Sequence, residues 1–313
     1  MTSSPPLKGI FPVVAIPFHP QGDFDESGFR SLLAYLGRSG ADGLLLFGIA
    51  SEFYKLTDSE RDKALRIFLE APMTPRGLKV VSLTDQSWEV ALPWLMRAQA
   101  QGADAINIFP PYFLRPSRTA IKEHVARLAE AATVSVIVQY APKESGRDLE
   151  PEFFAELATA YPRLVGVKVE VQPPGTFISR LAQVAPQLQT LVGYAGINML
   201  DALSRGASGI QPGSAFVEVY QAIWMHYRQG EEAAARRLYT RLLPYLALWM
   251  QHPEYIIAVE KEILRRRGII RSAYCRGTRW TLDAHDGQVI DRFLREFLSE
   301  LKPRIGEALR RED

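Results

Sequence analysis

The sequence predicts an α/β protein, a (β/α)8 barrel with a C-terminal helical extension. Eight short runs rich in Val, Ile and Leu alternate with amphipathic stretches of helical spacing, the pattern of a parallel sheet covered by helices. Eight such units close naturally as a barrel. The length, 313 residues, suits that choice, because barrels of this kind routinely exceed about 200 residues in a single unit.

In chain order the strand candidates are FPVVAIPF (11–18), GLLLFG (43–48), LKVVSL (78–83), AINIFP (105–110), VSVIVQY (134–140), LVGVKVEV (164–171), TLVGYA (190–195) and SGIQPG (208–213). Helical stretches fall between them at 26–39, 57–70, 87–101, 117–132, 150–160, 176–185 and 197–205. Asp25, Thr57 with Glu60 three residues on, and Ser117 are N-cap signals. Gly40, Gly102 and Gly206 are C-terminal stops before strands. From 214 onward no strand signal appears, and the runs 214–229, 231–250, 253–267 and 283–310 supply the eighth barrel helix and the extension. No low-complexity linker interrupts the chain, so a barrel over 1–230 and an extension over 231–313 are expected to form one unit.

Composition narrows the function. With 47% apolar and 23% charged residues the chain has an ordinary globular balance. A net charge of +2 gives no reason to expect nucleic acid or an acidic membrane surface as a partner. The single cysteine, Cys275, cannot form an internal disulfide or a cysteine metal cluster. The five histidines are scattered, with no HExxH. No apolar run approaches the roughly 18 residues of a membrane span, and MTSSPPLKG lacks the apolar core of a signal peptide. A cytoplasmic, metal-independent protein is expected. The basic run ILRRRGIIR (263–271) reads as a solvated helix face, and Trp88 and Trp94 as packing or subunit contacts.

In such a barrel the chemistry sits at the C-terminal ends of the strands. In LVGVKVEV the valines 165, 167, 169 and 171 alternate with Gly166, Lys168 and Glu170, so the lysine and the acid point together into the barrel mouth. Lys168 and Glu170 are either a simple ion pair or a reactive amine beside an acid. Desolvation disfavours an ammonium, and a buried lysine can then offer a neutral amine to a ketone. Tyr140, at the end of the preceding strand, is the natural proton-shuttle candidate.

The order of motifs resembles the dihydrodipicolinate synthase / N-acetylneuraminate lyase superfamily of class I, Schiff-base-forming lyases and aldolases. The resemblance covers nearly the whole chain. It rests on GIFPVVAIPFHPQGDFD (9–25), the turn GIASE (48–52) followed by LTDSER (56–61), the loop PPYFLRPS (110–117), Tyr140, and Lys168 after 28 residues. It implies that Lys168 forms the imine and that Tyr140 is the general acid–base. It also implies that Gly48, Ala50 and Ser51 of the turn, with Gly193 and Ile210, hold the carboxylate of a small 2-oxo acid. No cofactor is implied, and a tetramer or dimer is.

The departures bear on the reaction. The family's paired hydroxyls become Ile49 and Ala50, leaving Ser51. Its second tyrosine, which completes a relay in a neighbouring subunit, becomes Phe113. Its Tyr-Asn-Val-Pro-x-Arg becomes Tyr140-Ala141-Pro142-Lys143-Glu144, one residue shorter, with Arg147 in a shifted register. Each lost polar contact typically costs one to several kcal/mol, which argues against the lysine-pathway synthase and the sialate lyase. VQYAPKESG is similar to the VQ-x-AP segment of pentonate-type dehydratases, and Glu170 suits elimination of a hydroxyl. The expected function is a 2-keto-3-deoxy sugar-acid dehydratase or aldolase. The alternatives are condensation of pyruvate with an aldehyde, and a barrel that binds a ligand without catalysis.

Overall fold

The computed structural model describes residues 6–75 and 77–301. Eight parallel strands form one sheet, ordered β1-β8-β7-β6-β5-β4-β3-β2. They are β1 (Gly9–Ile10), β2 (Gly43–Leu46), β3 (Leu78–Leu83), β4 (Ala105–Ile108), β5 (Ser135–Tyr140), β6 (Leu164–Val169), β7 (Gln189–Val192) and β8 (Gly209–Ile210). With the first strand beside the eighth and helices between the strands, this is the nearly closed (β/α)8 barrel that the alternation predicts. Most strand residues are buried whichever way they point, because a parallel sheet is covered on both faces.

The helices are α1 (Glu26–Leu36), α2 (Asp58–Glu70), α3 (Trp88–Ala100), α4 (Arg118–Ala131), α5 (Pro142–Ser145), α6 (Pro151–Ala160), α7 (Gly175–Val184), α8 (Met199–Ser204) and α9 (Val217–Arg228). The C-terminal helices follow as α10 (Glu232–Trp249), α11 (Pro253–Arg266), α12 (Ala284–Glu296) and α13 (Leu298–Leu301). The side chain of Asp25 accepts from Gly28 N and that of Ser117 from Ala120 N, while Thr57 and Glu60 form a capping box. The helical run expected over 283–310 breaks at Phe297. Its part beyond 301, like residues 1–5 of the N-terminal stretch, lies outside the described residues.

The first strand is shorter than expected. In place of 11–18 it is Gly9–Ile10, followed by a single bridge between Val13 and Gly213. Prolines at 12 and 17 explain the difference, since proline brings no ladder donor. The N–H groups of Gly9, Phe11 and Val13 still donate to Ser208, Ile210 and Pro212 carbonyls at 3.0, 2.9 and 2.7 Å. Pro12 therefore occupies a position that donates nothing toward β8.

Packing divides the chain into two compact units. Among the described residues, one holds 6–11, Leu45–Phe47 and Leu78–Gln211; the other holds Pro12–Leu44, Gly48–Gly77 and 212–301. The second unit buries Glu260; its carboxylate accepts from Ser214 N at 3.1 Å. A Cβ at Gly213 would lie 1.9 Å from that carboxylate, so only glycine fits there. Burial pushes the Glu260 carboxyl up to about 8 from 4.5, although the Ser214 bond opposes the shift. Between those values the unfolded chain ionises this acid while the folded chain keeps its proton. Glu260 thus lowers stability as pH rises from about 4.5 to about 8, with no further change above. Glu260→Gln is expected to remove that slope, and urea midpoints of both proteins at the two ends of the window would check it.

Among the described residues no helix is long and apolar enough to cross a membrane.

Candidate active site

Strand β6 ends with Lys168 and Val169, and Glu170 follows. Lys168 pairs with Gln139 of β5, and Val169 with Tyr140. Residues opposite one another in a ladder share a face, so Gln139 stands on the face of Lys168 and Tyr140 on the other. Lys168 is 2% exposed, and its Nζ lies 3.4 Å from Glu170 Oε1. The other carboxylate oxygen of Glu170 receives Gln139 Nε2 at 2.6 Å. Gln139 Oε1 accepts from Asn107 Nδ2 at 3.0 Å, and the same amide donates to Ser82 Oγ at 3.0 Å. Ser82, Asn107, Gln139 and Lys168 are all buried, on β3, β4, β5 and β6 in turn. This inward row of amides orients the Glu170 carboxylate beside the amine, through a short hydrogen bond to a charged acceptor.

Gly193 lies against the same carboxylate. A Cβ at this position would meet Glu170 Oε1 at 2.2 Å, so the missing side chain is what admits the acid. Its N–H donates to Val169 O at 3.1 Å. The next residue, Tyr194, has φ 48° and Ala195 has φ 50°. Left-handed conformations in residues with side chains are strained and cluster at functional sites. Tyr194 donates its hydroxyl to Glu144 of α5, 3.2 Å from Oε1 and 3.4 Å from Oε2. Burial raises the Glu144 carboxyl, and the charge of Glu170 raises it further. Ile210 is fully buried, and its carbonyl accepts Phe11 N–H at 2.9 Å.

Tyr140 is not brought to Lys168. Its ring stacks on Phe177 of α7 at 4.7 Å and leans on Phe154 of α6 at 5.4 Å. Its hydroxyl accepts Leu149 N–H at 3.3 Å. The cause is an irregularity between Val136 and Ile137. Val136 pairs with Leu164 but Ile137 with Gly166, so β6 carries one extra residue. Continued without that bulge, the Val136–Leu164 register would set Tyr140 opposite Lys168; with it, Gln139 takes that place. Tyr140→Phe is therefore expected to leave turnover within about threefold of wild type while destabilising the fold by about 1–3 kcal/mol, because Leu149 N–H loses its buried acceptor. Urea denaturation alongside steady-state kinetics checks both; a hundredfold drop in kcat would return Tyr140 to the chemistry.

Arg147 and Phe113, two positions where the sequence departs from the family, lie against or on the 110–117 loop. Arg147 donates to the carbonyls of Pro116 and Arg115 at 2.9 and 3.0 Å, fastening the 110–117 loop. Phe113, on that loop, is 78% exposed.

The GIASE turn belongs to the other unit. Residues Ile49–Ser51 form a 3-10 turn that starts from Gly48. Ser51 is fully buried and donates its hydroxyl to Val14 O at 2.6 Å. Ile49 and Ala50 pack against Ile257, Ala258 and Cys275. Glu52 has φ 52° and takes hydrogen bonds from Lys261 Nζ, Lys55 Nζ (3.0 Å) and Arg276 N (3.3 Å). The acid at the end of the motif is a structural anchor for the turn.

The model of the dihydrodipicolinate synthetase family matches residues 6–295. The chain belongs to that family. Its members are Schiff-base lyases, and this chain is an enzyme of that class. Among similar proteins, a probable 2-dehydro-3-deoxy-D-pentonate aldolase of Escherichia coli is 27% identical, covering 86% of this chain and 90% of its own. The L-2-keto-3-deoxyarabonate dehydratase of Azospirillum brasilense is 28% identical, covering 87% and 88%. A solved putative dihydrodipicolinate synthetase from Pseudomonas aeruginosa shares the fold, with a TM-score of 0.86 at 21% identity over 95% of this chain and 100% of its own.

Proposed function

We propose that this enzyme acts on 2-keto-3-deoxy sugar acids through an imine on Lys168, with Glu170 as the group that moves the C3 proton. The observation that carries the reading is the position of Glu170. It lies beside the lysine, and Gln139 fixes it from the neighbouring strand. The Lys168 amine adds to the C2 ketone and water departs, leaving the imine. Glu170 then takes a proton from C3, and the electron pair passes toward the imine nitrogen to give the enamine. Dehydration runs through this enamine; aldol cleavage instead takes the proton of the C4 hydroxyl and yields the enamine of pyruvate as the C3–C4 bond breaks, and the acid then returns a proton to C3. The similar pentonate aldolase and arabonate dehydratase support the substrate class.

Condensation of pyruvate with an anionic aldehyde is the second reading. An acid, Glu144, stands near Glu170, and Arg147 is engaged by backbone carbonyls. Neither favours a second carboxylate. By resemblance the substrate carboxylate is assigned to Gly48, Ala50 and Ser51 of the turn with Gly193 and Ile210; the missing side chain of Gly193 also makes room for Glu170. An oligomer, dimer or tetramer, accords with the exposed Phe113 and Leu114 of the 110–117 loop, and a cytoplasmic setting with the composition.

A screen of 2-keto-3-deoxy pentonates and hexonates tests the reading, run beside pyruvate with aspartate semialdehyde. Turnover of at least one keto-deoxy acid and negligible condensation are expected. A condensation kcat/KM of about 10⁴ M⁻¹s⁻¹ or more, in the ordinary enzyme range, would overturn it.

A further inference from the structure

Expelling water from the imine of a 2-keto-3-deoxy acid requires two proton transfers, which two separate groups can divide between them. A base removes the C3 proton, and an acid protonates the C4 hydroxyl as its bond to carbon breaks. Aldol cleavage requires only a base at the C4 hydroxyl, and the same group can later return the proton to C3. A second carboxyl group beside Glu170 therefore bears directly on which bond is broken.

We propose that Glu144, held by Tyr194, is the acid that protonates the departing C4 hydroxyl, and that Gln211 receives a hydroxyl of the substrate. On this proposal the enzyme breaks C–O rather than C–C. The proposal deepens the reading of Lys168 and Glu170 given above and rests on it.

Glu144 rises from α5, directly beyond the strand that carries Gln139, and Glu170 from the neighbouring strand end. Tyr194 follows Gly193, the residue that admits the Glu170 carboxylate, and its hydroxyl meets both oxygens of Glu144. Glu144 and Tyr194 are half-buried, so they border the solvent side of this strand end. Two successive left-handed residues, Tyr194 and Ala195, hold the phenol in this place.

An independent observation points to a ligand here. Gln211 is 2% exposed, and neither its Nε2 nor its Oε1 has a hydrogen-bond partner. Its backbone N–H donates to Val192 O at 2.8 Å, and Ile210 pairs with Val192. Gln211 is thus level with Gly193 and shares the face that Gly193 turns to Glu170. A buried amide with both donor and acceptor open is unusual in folded proteins. A hydroxyl, which donates and accepts, satisfies both.

The step balances. Glu170 takes the C3 proton and the enamine forms. The enamine pair then expels the C4 oxygen, forming the C3–C4 double bond and restoring the C2–N double bond. Glu144 supplies the proton that makes the leaving group water. Solvent afterwards exchanges the proton gained by Glu170 and replaces the one lost by Glu144.

Glu144→Gln and two assays test this. Pyruvate has no hydroxyl to expel, so exchange of its methyl protons in D2O, followed by proton NMR, needs only the lysine and Glu170. The expected result is exchange within about threefold of wild type and dehydration of a 2-keto-3-deoxy pentonate slowed about 10²-fold or more, the range for loss of a general acid. Retained exchange also shows that the variant is folded. Gln211→Leu is expected to raise KM for the pentonate about tenfold or more while leaving pyruvate exchange unchanged, as loss of the amide's hydrogen bonds to a substrate hydroxyl predicts. Parallel loss of exchange and dehydration in Glu144→Gln would overturn the proposal, as would loss of neither. So would wild-type release of pyruvate and an aldehyde in place of a dehydrated acid. Wild-type protein that exchanges no pyruvate proton would overturn the lysine reading itself, which distinguishes the two failures.

Discussion

Lys168→Ala is expected to reduce turnover to background and to abolish any covalent adduct with a 2-oxo acid. The amine is the nucleophile, and alanine offers nothing to add to the ketone. Neighbouring lysines cannot substitute. Lys55 belongs to the other unit, where Glu52 and Glu254 hold it at 3.0 and 2.7 Å. Lys143 is exposed on α5. The variant leaves Glu170 bonded to Gln139, so the fold is expected to survive, and circular dichroism beside the kinetics separates lost chemistry from lost structure. Measurable turnover in Lys168→Ala, at even a hundredth of wild type, would move the reaction to another residue.

Glu170→Gln is expected to have the next largest effect, and it separates a proton-transfer role from an ion pair. If the acid only neutralises Lys168, its removal favours the uncharged amine, and imine formation near neutral pH holds steady or improves. Turnover would then be retained. If the acid moves the C3 proton, the imine still forms but turnover falls by about 10²-fold or more. The second outcome is expected, because the amide row from Ser82 through Asn107 and Gln139 orients the carboxylate beyond what an ion pair requires. Single-turnover kinetics that resolve adduct formation from product release make the distinction. A Glu170→Gln variant with wild-type turnover would leave the acid structural.

The parts of the site legible in the sequence are those governed by local rules. Alternation put Lys168 and Glu170 on one face, and cap residues placed the starts of α1, α2 and α4. Helix α5 was missed: Pro142 at its first turn and Gly146 just past its end, with φ 65°, are signals of it, but four residues are too few to form a periodic pattern. Tyr140 shows where local rules stop. One extra residue in β6 exchanged it for Gln139 opposite Lys168, and register between strands is a property of the sheet rather than of either segment. The partners of Glu170 were hidden for a similar reason. Ser82, Asn107 and Gln139 are 25 and 32 residues apart, and only the pairing of β3, β4 and β5 assembles them. Glu144 and Tyr194, 50 residues apart, meet through a left-handed turn at two residues that carry no glycine signal.

Borohydride reduction of the wild-type protein mixed with a 2-keto-3-deoxy pentonate, followed by tryptic mass spectrometry, tests the Lys168 imine most directly. One adduct is expected, on the peptide that contains Lys168. An adduct on Lys143 or Lys55, or none at all, would contradict it.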